Sequence, residues 1–158
     1  MKKSERIQTM VNGLAAGEAG LDPCYTGWFT CFNRAEYYEA HDVLEHLWLQ
    51  TRHDANYAFY KGLIQLAGAF VHLKKQQERP WHPKDGARLR PAARLFALAL
   101  GNLSRFAPAH LRLDVAATCR VCAEHIAELE ASQFSKNPWS PDRLPRIELT
   151  APAAEPSR

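Results

Sequence analysis

The sequence predicts an all-α, single-domain bundle of about five helices with an extended, proline-rich C-terminal tail. Three observations carry this. Apolar residues recur at helical spacing from about residue 4 to about residue 132. No alternating strand pattern, and no Asn-Gly or Asp-Gly hairpin between apolar runs, interrupts them. Prolines then crowd the end of the chain at Pro138, Pro141, Pro145, Pro152 and Pro156, where no helix can form.

Composition agrees with a globular domain. The chain has 158 residues, enough for one domain to bury a core without disulfides or metals. Hydrophobic residues make up 46% and charged residues 23%, both ordinary values. The net charge of +3 is too small to argue for a partner. There is no run of about 18 apolar residues, so no membrane span is expected. The opening MKKSERIQTMVNGLAAGEAG lacks the apolar stretch of a signal peptide, so the expected location is cytoplasmic.

In chain order, residues 4–16 form a first helix, with Ile7, Met10, Val11 and Leu14 on one stripe. Residues 17–31 read as a loop, marked by Gly17, Gly20, Pro23 and Gly27. A second helix starts at Phe32-Asn33, with Asn33 as its cap and Glu36 three residues on as in a capping box, and ends near Gln50. A third helix, capped by Asp54, runs to about Gln77. The segment ERPWHP at 78–83 breaks the chain. A fourth helix covers about 84–106, with Pro91 in its interior, and Ala107-Pro108 closes it. A fifth covers about 113–132. The helical domain is therefore 1–134 and the tail 135–158. Trp139, Leu144, Ile147 and Leu149 suit the tail to lie along the core as a strap, and APAAEPSR at its end is expected to be disordered. The segment NRAEYYEAHDVLEHLW has the look of a tetratricopeptide helix, but nothing recurs about 34 residues later.

Four cysteines, Cys24, Cys31, Cys119 and Cys122, fit free thiols in a reducing compartment. Cys119-Arg-Val-Cys122 has redox spacing but lies inside a helical pattern. A zinc site from all four is disfavoured by the wide gap between Cys24 and Cys31. Small core residues are the plain reading.

The second helix raises the functional question. Setting His41 at 0° on a helical wheel puts Glu45 at about 40°, Trp48 at about −20° and Tyr38 at about 60°. His41 and Glu45 thus fall inside the apolar arc, Asp42 at its margin, and Val43, His46, Glu39 and Glu36 on the wet side. The third helix, YAFYKGLIQLAGAFVHL at 57–73, is apolar nearly all round, as a central helix is. Gln65 and His72, seven apart, share one of its faces with Ala58, Gly62, Gly68 and Ala69, and Lys61 lies on that stripe. A short connection makes the two helices an antiparallel hairpin, so His41 and Glu45 are expected to meet Gln65 and His72. Burying such groups unpaired costs several kcal/mol, at the order of about 2–7 each, so they need mutual bonds, water or a ligand.

At these residues the chain resembles the domain of unknown function 309 family. The carriers are His41, Glu45 and Trp48 in an HxxxExxW arrangement, followed by GLIQLAGAFVHL at 62–73; the resemblance covers about 28–105. It implies a small all-helical fold and a site at these residues, and no activity. The family pattern has a proline ten residues after the tryptophan, where this chain has Ala58, which implies a different loop between the helices.

Four readings of the cluster His41, Glu45, Trp48, Gln65, His72 and Tyr38 follow. It is a structural network that fixes helix register. It binds a small polar ligand, with His41 as a base held by Glu45 and with Tyr37, Tyr38 and Trp48 as walls. It holds a divalent metal on His41, Glu45 and His72, with an open position for hydrolysis. Or the domain is an interaction module: residues 74–120 carry ten Lys and Arg against three Asp and Glu, a local +7, which suits nucleic acid or an acidic partner. No nucleic-acid motif accompanies that charge, so a solvated face is favoured. The leading expectation is a structural or ligand-binding cluster. Exposed aromatics such as Trp81 suit a homo-oligomer contact.

Overall fold

A computed structural model of the protein describes residues 2–13 and 20–151. Leu14, Gly17 and residues 152–158, to which the sequence reading assigned roles, lie outside the described residues. Six α-helices are present among those described, one more than expected: α1 (Lys3–Asn12), α2 (Pro23–Asn33), α3 (Tyr37–Leu49), α4 (Tyr57–Glu78), α5 (Leu89–Leu103) and α6 (Val115–Ala131). A two-stranded antiparallel pair, β1 (Ala109–His110) and β2 (Leu113–Asp114), joins α5 to α6, where no strand was expected.

The extra helix is α2, in the segment read as a loop. Asp22 accepts the backbone N–H of Cys24 at 2.8 Å, and Pro23 stands at the first helical position, where its missing N–H costs nothing. Proline and glycine in sequence alone signal a break; here Pro23 is a starter and Gly27 is buried inside the helix. Asn33 is not the cap of the next helix but the last residue of α2. The chain reverses at Ala35 (φ 59°), where Glu36 N–H bonds the carbonyl of Cys31 and Ala35 N–H that of Phe32. That pair of bonds is the left-handed helix stop usually given to glycine.

Pro91 is likewise not interior. It falls in the first turn of α5, where backbone N–H groups lack helical partners anyway, and a 3-10 turn at Asp85–Ala87 precedes it. Asp54 is not the cap of α4: Asn56 holds that position without a side-chain bond, and Asp54 accepts the N–H of Asn56 in the turn before it. Asp114 caps α6 through Ala117 N–H at 2.9 Å.

The long central helix is α4, and Phe70 near its middle is the hub. Its ring lies 5.1–5.3 Å from Phe32 of α2, Tyr37 of α3, Phe96 of α5 and His125 of α6. Burying one large ring against four elements ties them together at about 1.5–3 kcal/mol for the side chain. Gly62 and Gly68 let α5 approach: a Cβ on Gly62 would stand 2.8 Å from Leu103, and one on Gly68 3.1 Å from Leu95.

The tail straps the bundle. Asn137 donates to the carbonyl of Leu73, Trp139 to the hydroxyl of Tyr37, and Asn33 exchanges two 2.9 Å bonds with the backbone of Ile147. Trp139 and Ile147 enter the core and Leu149 packs against it; Leu144 instead faces solvent. No described helix is long and apolar enough to cross a membrane.

Candidate functional site

Helix α3 buries a different arc from the one the wheel suggested. Tyr37, Ala40, Val43, Leu44 and Leu47 face the core, and Val43, expected on the wet side, is fully buried. His41 and Glu45 stand at the rim, with side chains 29% and 26% exposed. The reason is that α3 is covered twice. Helices α2 and α4 take one side, and α1 lies across another.

Asp42, expected at the margin, is the most buried charge of the group at 1% exposure. The guanidinium of Arg6 donates to its Oδ2 at 3.0 Å, the ammonium of Lys3 lies 3.9 Å away, and His41 Nδ1 donates to its Oδ1 at 3.1 Å. Glu45 sits 3.7 Å from His41 Nε2 and 3.7 Å from Lys3. His41 is thus bracketed by two carboxylates, and the carboxylates by two cations of α1. Sequence reasoning missed Asp42, Lys3 and Arg6. The readable signal was a matched spacing: Lys3 and Arg6 share one face of α1, and Asp42 and Glu45 share one face of α3.

Tyr38 completes this region. Its ring is 46% exposed, lies nearly parallel to the His41 imidazole at 6.4 Å, and has Arg6 and Lys75 each 5.8 Å from its centre. Tyr38 and Glu39 form a ridge between two grooves. One, of about 310 Å³, is bounded by Arg6, Thr9, Met10 and Asp42. The other, of about 190 Å³, runs between α3 and α4, beside Lys74, Lys75 and Glu78.

The polar residues of α4 have other partners. The stripe holding Gly62, Gln65, Gly68 and His72 turns to α5, not to α3. Gln65 accepts from Asn102 at 2.8 Å. His72 Nδ1 lies 2.9 Å from Arg88, which has only donors, so Nδ1 accepts and the ring proton sits on Nε2. Burial, followed by the charges of Arg88, Lys75 and Arg94, lowers the His72 pKa to about 4 and keeps the ring neutral. Arg88 in turn donates to Asp85 at 2.7 Å, and this bond holds the Asp85 carboxyl below its ordinary range. Trp48 stacks on Tyr57 with ring centres 5.0 Å apart, and its buried indole N–H meets no acceptor among the described residues.

His41 and Glu45 are therefore brought together, with Tyr38 beside them, while Trp48, Gln65 and His72 bond or stack elsewhere. A helix that is apolar all round offers no preferred face, so which neighbour takes the polar stripe is settled by the small residues that let α5 in. Among the described residues no group of three or more His, Cys, Asp or Glu side chains is placed to hold a metal ion, so His41, Glu45 and His72 are not gathered into a ligand set, and neither are the four cysteines. The cysteines are free thiols. Burial, then the neighbouring Cys119, pushes the Cys122 thiol up to about 12, and burial raises Cys24 and Cys31 to about 11, all away from the reactive thiolate.

Residues 27–82 match the family described as Domain of unknown function (DUF309), which bears out the resemblance over that span. The match takes in most of α2 and all of α3 and α4, and so includes Tyr38, His41, Glu45, Gln65 and His72. No curated protein and no solved structure matches the chain.

Proposed function

We propose that this domain is a non-catalytic module that binds a small polar ligand in the groove between α1 and α3. Tyr38 is its aromatic ridge, and Glu39 and the Asp42–Arg6 pair are its charged walls. The observation that carries the reading is the exposed Tyr38 ring set beside a groove of about 310 Å³ whose wall includes the buried carboxylate of Asp42. A large exposed aromatic in a concave, partly apolar setting with a few fixed polar groups is the usual make-up of a ligand site. Both charge signs surround the Tyr38 ring, Arg6 and Lys75 against Glu39 and Asp42. A ligand with an ammonium and a carboxylate on a small apolar body, as in a free amino acid, matches that arrangement.

Thermal unfolding of the full chain in a panel of free amino acids and simple amines tests this. The expected result is a rise of several degrees in Tm with at least one of them, because a ligand at about a hundred times its Kd adds about 2.7 kcal/mol. Tyr38→Ala should abolish the rise while leaving the ligand-free Tm nearly unchanged, since the ring is half exposed. No stabilisation by any member, or a shift that survives Tyr38→Ala, would leave the network a purely structural one.

A further inference from the structure

A second region lies where α4 passes to α5, and the groove at Tyr38 makes no use of it. The connecting loop is tightly held. The Asp85 carboxylate accepts from Arg88 at 2.7 Å and lies 3.3 Å from Arg79. His82 Nδ1 accepts the N–H groups of Lys84 and Asp85. Gly86 N–H bonds the carbonyl of His82, and a Cβ at Gly86 would stand 2.3 Å from the Pro80 carbonyl oxygen, so only glycine fits. This fixed loop displays Trp81 with 74% of its surface in solvent. Such a ring contributes little to the core. A large ring held out by a fixed loop is pre-organised for contact, because little mobility is lost when it is covered.

The chemistry around it is cationic and flat. The guanidinium of Arg79 stacks on Trp81 at 5.1 Å. Gly86, packed against Pro80, also lines a groove of about 210 Å³ with Leu89, Arg90, Gln133 and Phe134. Across that groove the guanidinium of Arg90 stacks on the Phe134 ring at 4.2 Å. Phe134 is put there by the left-handed stop of α6, in which Gln133 and Phe134 both have positive φ. The loop that carries the Arg79–Trp81 pair thus leads, through Gly86, into a groove that holds the Arg90–Phe134 pair. From residue 78 to 90 the chain carries Arg79, Lys84, Arg88 and Arg90 against Glu78 and Asp85, four minus two, a local +2.

We propose that this end of the molecule is a docking surface for single-stranded nucleic acid. An unpaired base stacks on Trp81, and Lys84 and Arg90 meet the flanking phosphates. Charge alone would equally suit an acidic protein surface. The paired ring and guanidinium planes favour bases, because every base offers a flat π face and a carboxylate side chain does not. A duplex keeps its bases stacked and offers Trp81 nothing to cover it.

The test uses the full chain and a fluorescein-labelled oligouridylate of about 15 nucleotides, long enough to span several stacking positions, read by fluorescence anisotropy. Saturable binding at about 50 mM salt is expected, weakening on the order of tenfold by about 200 mM, as two or three phosphate contacts require. Trp81→Ala should weaken it about tenfold, in line with the loss of one base–aromatic stack. Its circular dichroism and Tm should match the parent, which separates lost contact from lost fold. Arg90→Ala should weaken binding and flatten the salt dependence. The proposal is overturned by absence of binding at low salt, by a duplex of equal length binding as tightly, or by Trp81→Ala binding like the parent. Displacement of the oligonucleotide by polyglutamate at equal charge would also overturn it, and would identify an acidic protein partner instead.

Discussion

The indole N–H of Trp139 donates to the hydroxyl of Tyr37 across 2.9 Å, with both rings buried and the two residues 102 positions apart in the chain. The bond joins the tail strap to the helix that carries His41 and Glu45. Burial raises the Tyr37 pKa to about 12, against the opposing effect of the Trp139 bond, so the hydroxyl stays protonated and accepts. Tyr37→Phe would leave a buried indole N–H without an acceptor and should cost about 1–3 kcal/mol. Trp139→Ala, which also empties a large volume, should cost about 3–5 kcal/mol. Urea denaturation of both variants checks the order. Equal and small losses would mean that the strap adds little.

Ala35 holds a left-handed conformation that an L side chain adopts at a cost of about 1–2 kcal/mol. It does so because α2 must stop and reverse within three residues to start α3. Ala35→Gly should therefore stabilise the protein by up to about 1 kcal/mol, the relief of strain being partly offset by added freedom in the unfolded chain. The midpoint of chemical denaturation should move up with an unchanged slope. A downward shift would show that the Ala35 methyl packs too well to lose.

His72 sets an acid limit on the fold. Its folded pKa of about 4 lies below the ordinary 6.5, chiefly through burial and then through Arg88. Between those two values the unfolded chain binds a proton that the folded chain refuses, so stability falls as pH falls from about 6.5 toward about 4. Burial of His110 lowers its pKa in the same direction and adds to the effect. His72→Gln, which keeps an acceptor for Arg88, should flatten the Tm-versus-pH curve in that window. An unchanged slope in the variant would place the acid sensitivity elsewhere.

Asp42 holds α1. Its buried carboxylate takes Arg6 and Lys3 at once, while those cations are themselves half exposed. Asp42→Asn should cost about 1–3 kcal/mol, the usual range for leaving a buried polar group poorly satisfied. Arg6→Ala should cost less, near the value of an exposed pair, about 0.2–1 kcal/mol. Amide hydrogen exchange should show the loss concentrated in residues 3–12. Uniform loss across α3 and α4 would mean that Asp42 supports the core instead.

The sequence by itself determined the fold class, the central place of α4, the break at 78–83 and the inward course of Trp139 and Ile147. Each follows from apolar spacing or proline content, which act within one element. It also marked His41, Glu45 and Tyr38 as neighbours, because one helix turn does that. Only the tertiary structure decided the rest. Gln65 and His72 turned to Asn102 and Arg88 because a helix that is apolar all round can be approached from any side, and Gly62 and Gly68 admit α5 closely. Asp42 became the buried charge because a second layer, α1, covers a face that one helical wheel shows only as the margin of the apolar arc. Pro23 and Asn33 were misread because the same residues start, stop or break a helix according to position, and position is set by where the chain must turn back to bury its other face.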